Sequence, residues 1–138
     1  MLLNASDVSL LLIDIQEKLF AKIHNNKLIL KNIFITLESF SKLDLPIIYT
    51  EQYPKGLGPT ISELTNYLEK SQMHARRIEK TTFSCFPLKD DDNKVKSIKT
   101  QQVLIAGIET HICVLQTAID LKNSNFEVFI LEDCVGSR

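Results

Sequence analysis

The sequence has no tryptophan, and only three histidines, three cysteines, four glycines and four prolines in 138 residues. Each scarcity excludes something. So little glycine and proline leaves no room for a flexible linker or a low-complexity tract. Cys85, Cys113 and Cys134 are odd in number and widely spaced. They form neither a disulfide framework nor a CxxC metal pattern, so a reducing, cytoplasmic setting is expected. His24, His74 and His111 never fall at HxH or HxxxH spacing, which predicts no metal site. GxGxxG and GxxxxGK[ST] are missing too, which predicts no nucleotide cofactor. One-sided charge is also lacking: 16 basic against 17 acidic residues give a net charge of −1, with no footprint for nucleic acid. No aliphatic run approaches the ~20 residues of a membrane span. The first residues lack the basic and long apolar regions of a signal peptide.

What is present is ordinary for a folded chain: 44% hydrophobic and 24% charged residues. The length fits one domain over residues 1–138. Strand-like and helix-like patterns alternate along it. Residues 8–15 (VSLLLIDI) form a nearly continuous apolar run, as in a strand buried on both faces. Residues 27–43 place Leu30, Ile33, Leu37 and Phe40 at helical spacing, and the helix must stop before Pro46. Residues 46–50 (PIIYT) read as a second strand, and 51–59, with two glycines and two prolines, as a loop. Thr60 and Glu63 have capping-box spacing and open a helix to about residue 70. A short edge strand is expected at 77–81. Acids first (Asp90, Asp91, Asp92) and bases last (Lys94, Lys96, Lys99) predict a short surface helix. Residues 102–106 (QVLIA) and 126–131 (FEVFIL) read as strands, joined by a tight connection at 107–110 and a helix to about 123.

This alternation predicts an α/β fold with a mainly parallel sheet, in which ligands bind beyond the carboxyl ends of the strands. That edge should gather Asp14 and Gln16, residues 50–53, Lys80, residues 107–113 and residues 132–134. Asp14 ends an apolar strand, where a carboxylate is costly unless paired. It is either a solvent-facing strand-end acid, or a general base or phosphate acceptor. Cys113 stands just inside a helix that follows a strand and a glycine turn. A helix N-terminus favours thiolate and offers N–H groups to an oxyanion; the alternative is a small buried hydrophobe. Cys134, at a strand end, is the weaker second thiol. Lys80 is either a solvated lysine or a cation that stabilises a thiolate and developing negative charge. His111 is two residues from Cys113, so on a helix the two face apart.

The runs LLLIDIQEKLF, TEQYPKGLGPT, EKTTFSCF, VLIAGIETHICVLQTAIDL and FILEDCVGSR, in this order, resemble the isochorismatase-like cysteine hydrolase superfamily. Within it the chain is most similar to the isochorismatase domain-containing proteins. The resemblance implies a six-stranded, mostly parallel sheet flanked by helices, and a catalytic triad at Asp14, Lys80 and Cys113. It also implies a cis peptide bond at 108–109, with the backbone N–H groups of Glu109 and Cys113 as an oxyanion hole.

Two departures narrow that implication. The nicotinamidase branch carries an Asp/His/His metal site after the second strand, whereas this loop reads EQYPKGLG, without histidine. Isochorismatases proper act on a vinyl ether without a cysteine nucleophile, so Cys113 points to an amide-like carbonyl. The family continues past DxxxSR through a helix, a strand and a helix. This chain is therefore expected to show five strands, to lack that closing unit, and to pair with another copy along the open edge. The leading expectation is a cysteine hydrolase of a small C–N bond, working through a thioacyl intermediate. Gln16, Tyr53 and Phe83 are the candidate pocket residues, and a small molecule is the expected partner, with no nucleic acid or membrane. A phospho-receiver module using Asp14 lacks the acidic pair it needs. A catalytically silent family member acting as an interaction protein is the remaining alternative.

Overall fold

The computed structural model describes residues 2–70 and 74–138. The elements run β1 (Val8–Ile13), α1 (Glu17–Phe20), α2 (Asn26–Lys42), β2 (Ile47–Gln52), α3 (Pro54–Leu57), α4 (Ser62–Lys70) and β3 (Ala75–Lys80). They continue with β4 (Gln102–Ile108), a π-helical turn (Thr110–Val114), α5 (Leu115–Asn123) and β5 (Glu127–Gly136). The five strands form one sheet in the order β3-β2-β1-β4-β5, and every pairing is parallel. This is the expected α/β class.

Strand periodicity divides the core into two layers. Leu10 and Leu12 of β1 face α2 and α4, meeting Ile33, Leu37, Leu64 and Leu68. Leu11 and Ile13 face the other way, onto Val114 and Leu121 and onto Leu88 from the connection before β4. All six residues of β1 are buried, as are all seven of β4, so the centre of the sheet is dry on both sides. Fully burying one Leu or Ile contributes about 1.5–3 kcal/mol, so the stability of the domain rests on these two layers.

Four expectations are corrected. Residues 90–99 are not a helix: Lys89 bridges Val95, and the Asp90 carboxylate accepts the Lys94 N–H at 2.8 Å and pairs with Lys96 at 2.7 Å. The acid-then-base order serves a turn closed by an ion pair. Thr60 does not cap α4 through Glu63; its N–H and hydroxyl both donate to Glu51 Oε1 at 2.8 Å. Glu51 itself is buried within β2, not in a loop, and Arg77 donates to its other oxygen at 2.6 Å. β5 also runs five residues past position 131, because a register shift between Ile105 and Gly107 lets it follow β4 to Gly136.

At Gly107 the backbones of β4 and β1 lie in close contact. The Gly107 φ is +128°, and a Cβ there would lie 2.2 Å from the Ile13 carbonyl oxygen. Gly107→Ala should therefore cost about 3 kcal/mol or more, from backbone strain plus a clash that cannot be relieved by a rotamer. Denaturant unfolding checks this; an unchanged midpoint would contradict it.

Candidate active site

The carboxyl ends of β1, β2, β3 and β4 bring their polar residues to one edge, as parallel topology requires. Asp14, immediately after β1, has a positive φ of 54° and is fully buried. Thr50 of β2 donates its hydroxyl to Asp14 Oδ1 at 2.7 Å. Lys80, the last residue of β3, donates its ammonium to Oδ2 at 2.7 Å. The Lys80 ammonium also reaches Gln52 Oε1 at 2.7 Å and the carbonyls of Phe83 and Thr82 at 3.0 and 3.1 Å. Lys80 and Asp14 side chains are 6% and 0% exposed, so this is a desolvated ion pair in a cage of hydrogen bonds. A pair of this kind repays its desolvation only when the remaining polar valences are filled, which the Thr50, Gln52 and carbonyl contacts do.

Cys113 enters from the turn after β4, and the Ile108–Glu109 peptide bond before that turn is cis, as the resemblance implies. The sequence suggested an ionised thiol at a helix N-terminus. Instead, burial pushes the Cys113 thiol up to about 12; the Asp14 charge and a hydrogen bond to Asp14 add to the rise, and Lys80 opposes it. The Cys113 thiol is thus neutral, with the Asp14 charge among the causes. Cys85 is a neighbour of both: burial and then Asp14 push it up to about 11, and its thiol donates to Thr50 Oγ1 at 3.6 Å. Cys134 lies in the opposite core layer, beside Thr36, which removes it from the candidate nucleophiles.

Of the candidate pocket residues, Tyr53 lines a cleft of about 820 Å³ whose wall also includes Lys80, Cys85, Ser84 and Phe86. Gln16 does not line it. It is fully buried, donating to the carbonyls of Gln52 and Gly58 and accepting the Gln52 N–H, so it ties the loop after β2 to β1. Phe83 contributes its carbonyl to Lys80, while its side chain is largely exposed. Thr50 and Gln52 complete the set; they fell within the predicted edge, but only the contacts reveal which atoms they hold. Among the described residues, no three His, Cys, Asp or Glu side chains converge as metal ligands, and no helix is long and apolar enough to cross a membrane.

The isochorismatase domain family model matches residues 8–138. The chain belongs to the isochorismatase family. Isochorismatase domain-containing protein 2A of Mus musculus is 38% identical over 129 residues, covering 94% of this chain and 59% of the mouse protein. The chain thus spans well under two thirds of that relative. Among solved structures, the MAR1 ribonuclease from Caenorhabditis elegans superposes with a TM-score of 0.82 at 35% identity, over 98% of this chain and 67% of that one. The YcaC gene product of Escherichia coli, described as an octameric hydrolase of unknown specificity, gives 0.83 at 25% identity, over 98% and 66%. The five-strand parallel sheet is consistent with the isochorismatase-family fold.

The sign of the Asp14 effect gives a prediction. Removing the carboxylate charge in Asp14→Asn deletes two of the influences that raise the Cys113 thiol, and leaves Lys80, which lowers it. The thiol should then ionise below about 12. The pH dependence of iodoacetamide labelling at Cys113 measures this; a higher or unchanged midpoint would contradict it.

Proposed function

We propose that the chain is a cysteine hydrolase of a small amide-like C–N bond, with Cys113 as nucleophile, Asp14 as general base and Lys80 as charge stabiliser. The observation that carries the reading is the buried Lys80–Asp14 pair at 2.7 Å, with the Cys113 thiol coupled to the same carboxylate. Loss of the thiol proton to water would leave two adjacent negative charges. Transfer to Asp14 avoids that, so proton transfer and carbon–sulfur bond formation belong to one step. The Cys113 sulfur attacks the carbonyl carbon while Asp14 takes its proton. The backbone N–H groups of Glu109 and Cys113 receive the developing oxyanion, and the Lys80 ammonium balances the charge. Asp14 then gives the proton to the departing nitrogen, leaving a thioester. Water, activated by Asp14, attacks that thioester, releasing acid and regenerating the thiol. On this reading substrate approaches from the Lys80 side, where the cleft walled by Tyr53, Phe86 and Lys80 opens, although Cys113 and Asp14 do not line that cleft; a reducing cytoplasm would keep Cys113 as the thiol this cycle needs.

The test is hydrolysis of a panel of small primary amides, followed by quenched-sample peptide mass on the best substrate. An acyl adduct on the Cys113 peptide is expected, and Cys113→Ala should abolish turnover. Lys80→Met should cut it by about 10²–10⁴-fold. Hydrolysis that survives in Cys113→Ala would remove the assignment, and a folded chain inert to the whole panel would favour the silent interaction protein.

The same reading includes self-association. β5 is an edge strand, with Ile130 half exposed, and Leu115 and Ile119 of α5 are likewise half exposed. Half-exposed apolar side chains favour self-association, and the octameric description of the E. coli structure is in keeping with this. Sedimentation at micromolar concentration should show a species larger than the monomer; a single monomeric boundary would contradict it.

A further inference from the structure

The turn that carries Cys113 is not a regular helix. Its closing bond runs from the Leu115 N–H to the Thr110 carbonyl, a π-type spacing, and π turns need support from outside their own ladder. Glu109 begins the turn: its carbonyl accepts the N–H groups of Ile112 at 3.1 Å and Val114 at 3.2 Å. Its side chain is buried, and Arg138 meets it as a fork, Nε to Oε1 at 2.7 Å and Nη2 to Oε2 at 3.3 Å. His111, the next but one along the turn, shares a hydrogen bond between Nδ1 and Ser137 Oγ at 2.8 Å. Ser137 is anchored in turn, because its carbonyl accepts the His24 N–H at 3.2 Å. Two successive residues beyond β5 thus hold the two residues that lead to the nucleophile.

We propose that Ser137 and Arg138 form a clasp that fixes the Cys113 turn against Asp14, with Arg138 a positioning residue acting through Glu109. Half of the Arg138 side chain is exposed, and such a pair adds little to global stability. Its consequence is geometric: a planar fork fixes the direction of the Glu109 side chain as well as its charge. With the fork in place, the Glu109 carbonyl and the turn it accepts from cannot rotate freely, and the thiol stays on the carboxylate. Without it, the turn relaxes, the thiol leaves Asp14 and meets water.

The inference rests on the reading of Asp14 and Cys113 as a coupled pair. It is tested by iodoacetamide labelling against pH, with peptide mass resolving each cysteine, in wild type, Arg138→Ala, Arg138→Lys, Ser137→Ala and Asp14→Asn. In Arg138→Ala the Cys113 midpoint should fall by about one pH unit or more, since distance from a carboxylate and contact with water both favour thiolate. Lysine should restore part of the shift, because it keeps the charge and loses the fork. Cys134, in the opposite core layer, should label as in wild type. Ser137→Ala, which removes only the His111 bond, should shift Cys113 the same way by less, and keeps the test open if Arg138→Ala fails to fold. A Cys113 midpoint unmoved in the folded clasp variants, or Cys134 shifting equally, overturns the clasp. If Asp14→Asn also leaves Cys113 unmoved, the coupled-pair reading falls with it; if Asp14→Asn moves it and the clasp variants do not, only the clasp falls.

Discussion

A carboxylate with no access to water sits at the point where the sheet's strands end. Burying Asp14 alone would be prohibitive, and everything around it reads as the answer to that cost. Thr50 supplies a hydroxyl to one oxygen and Lys80 an ammonium to the other, so β1, β2 and β3 must end at the same level and in register. The lysine's other two protons are shared among Gln52 and two backbone carbonyls of the segment after β3. Gln52 is held in place by Gln16, two residues beyond Asp14, whose side chain accepts the Gln52 N–H and donates to the Gln52 carbonyl. One buried charge therefore organises four chain segments.

The fourth strand adds the thiol to this arrangement. β4 pairs with β1 through a glycine that lets the two backbones touch, and the turn that follows brings Cys113 beside the carboxylate. The thiol is neutral there because burial and the carboxylate both oppose its ionisation. In the proposed reaction a neutral thiol beside a base differs from a preformed thiolate: the proton has a defined destination within the site, and the same carboxylate returns it to the leaving nitrogen.

The fold was legible where periodicity and burial agree. β1 and β4 read as dry strands because they are apolar throughout, and α2 because its stripe is regular. It was not legible where a polar side chain changes partner in three dimensions. Thr60 and Glu63 have the spacing of a capping box, but Glu51, nine residues before Thr60, takes the threonine. Asp90 and Lys96 have the order of a helix dipole but close a turn. The Glu132–Asp133–Cys134 run breaks strand alternation, and only the backbone of β4 carries β5 through it. At the site, Asp14, Lys80 and Cys113 were named from motifs that resemble the family. Thr50, the burial of Gln16 and the fork between Glu109 and Arg138 have no spacing signal, because each depends on which strand ends lie side by side.

The central claim is that Asp14 and Lys80 work as one unit. A double-mutant cycle over wild type, Asp14→Asn, Lys80→Met and the double variant tests it directly, with unfolding free energy and amide turnover measured on the same four proteins. Lys80→Met alone leaves a buried carboxylate unpaired and should cost about 3–5 kcal/mol, whereas the double variant leaves no buried charge and should cost much less than the sum of the single changes. Turnover should show the same failure to add, with the double variant losing far less than the product of the single losses. Additive stability and multiplicative rates across the cycle would show that the two side chains act independently, contradicting the account.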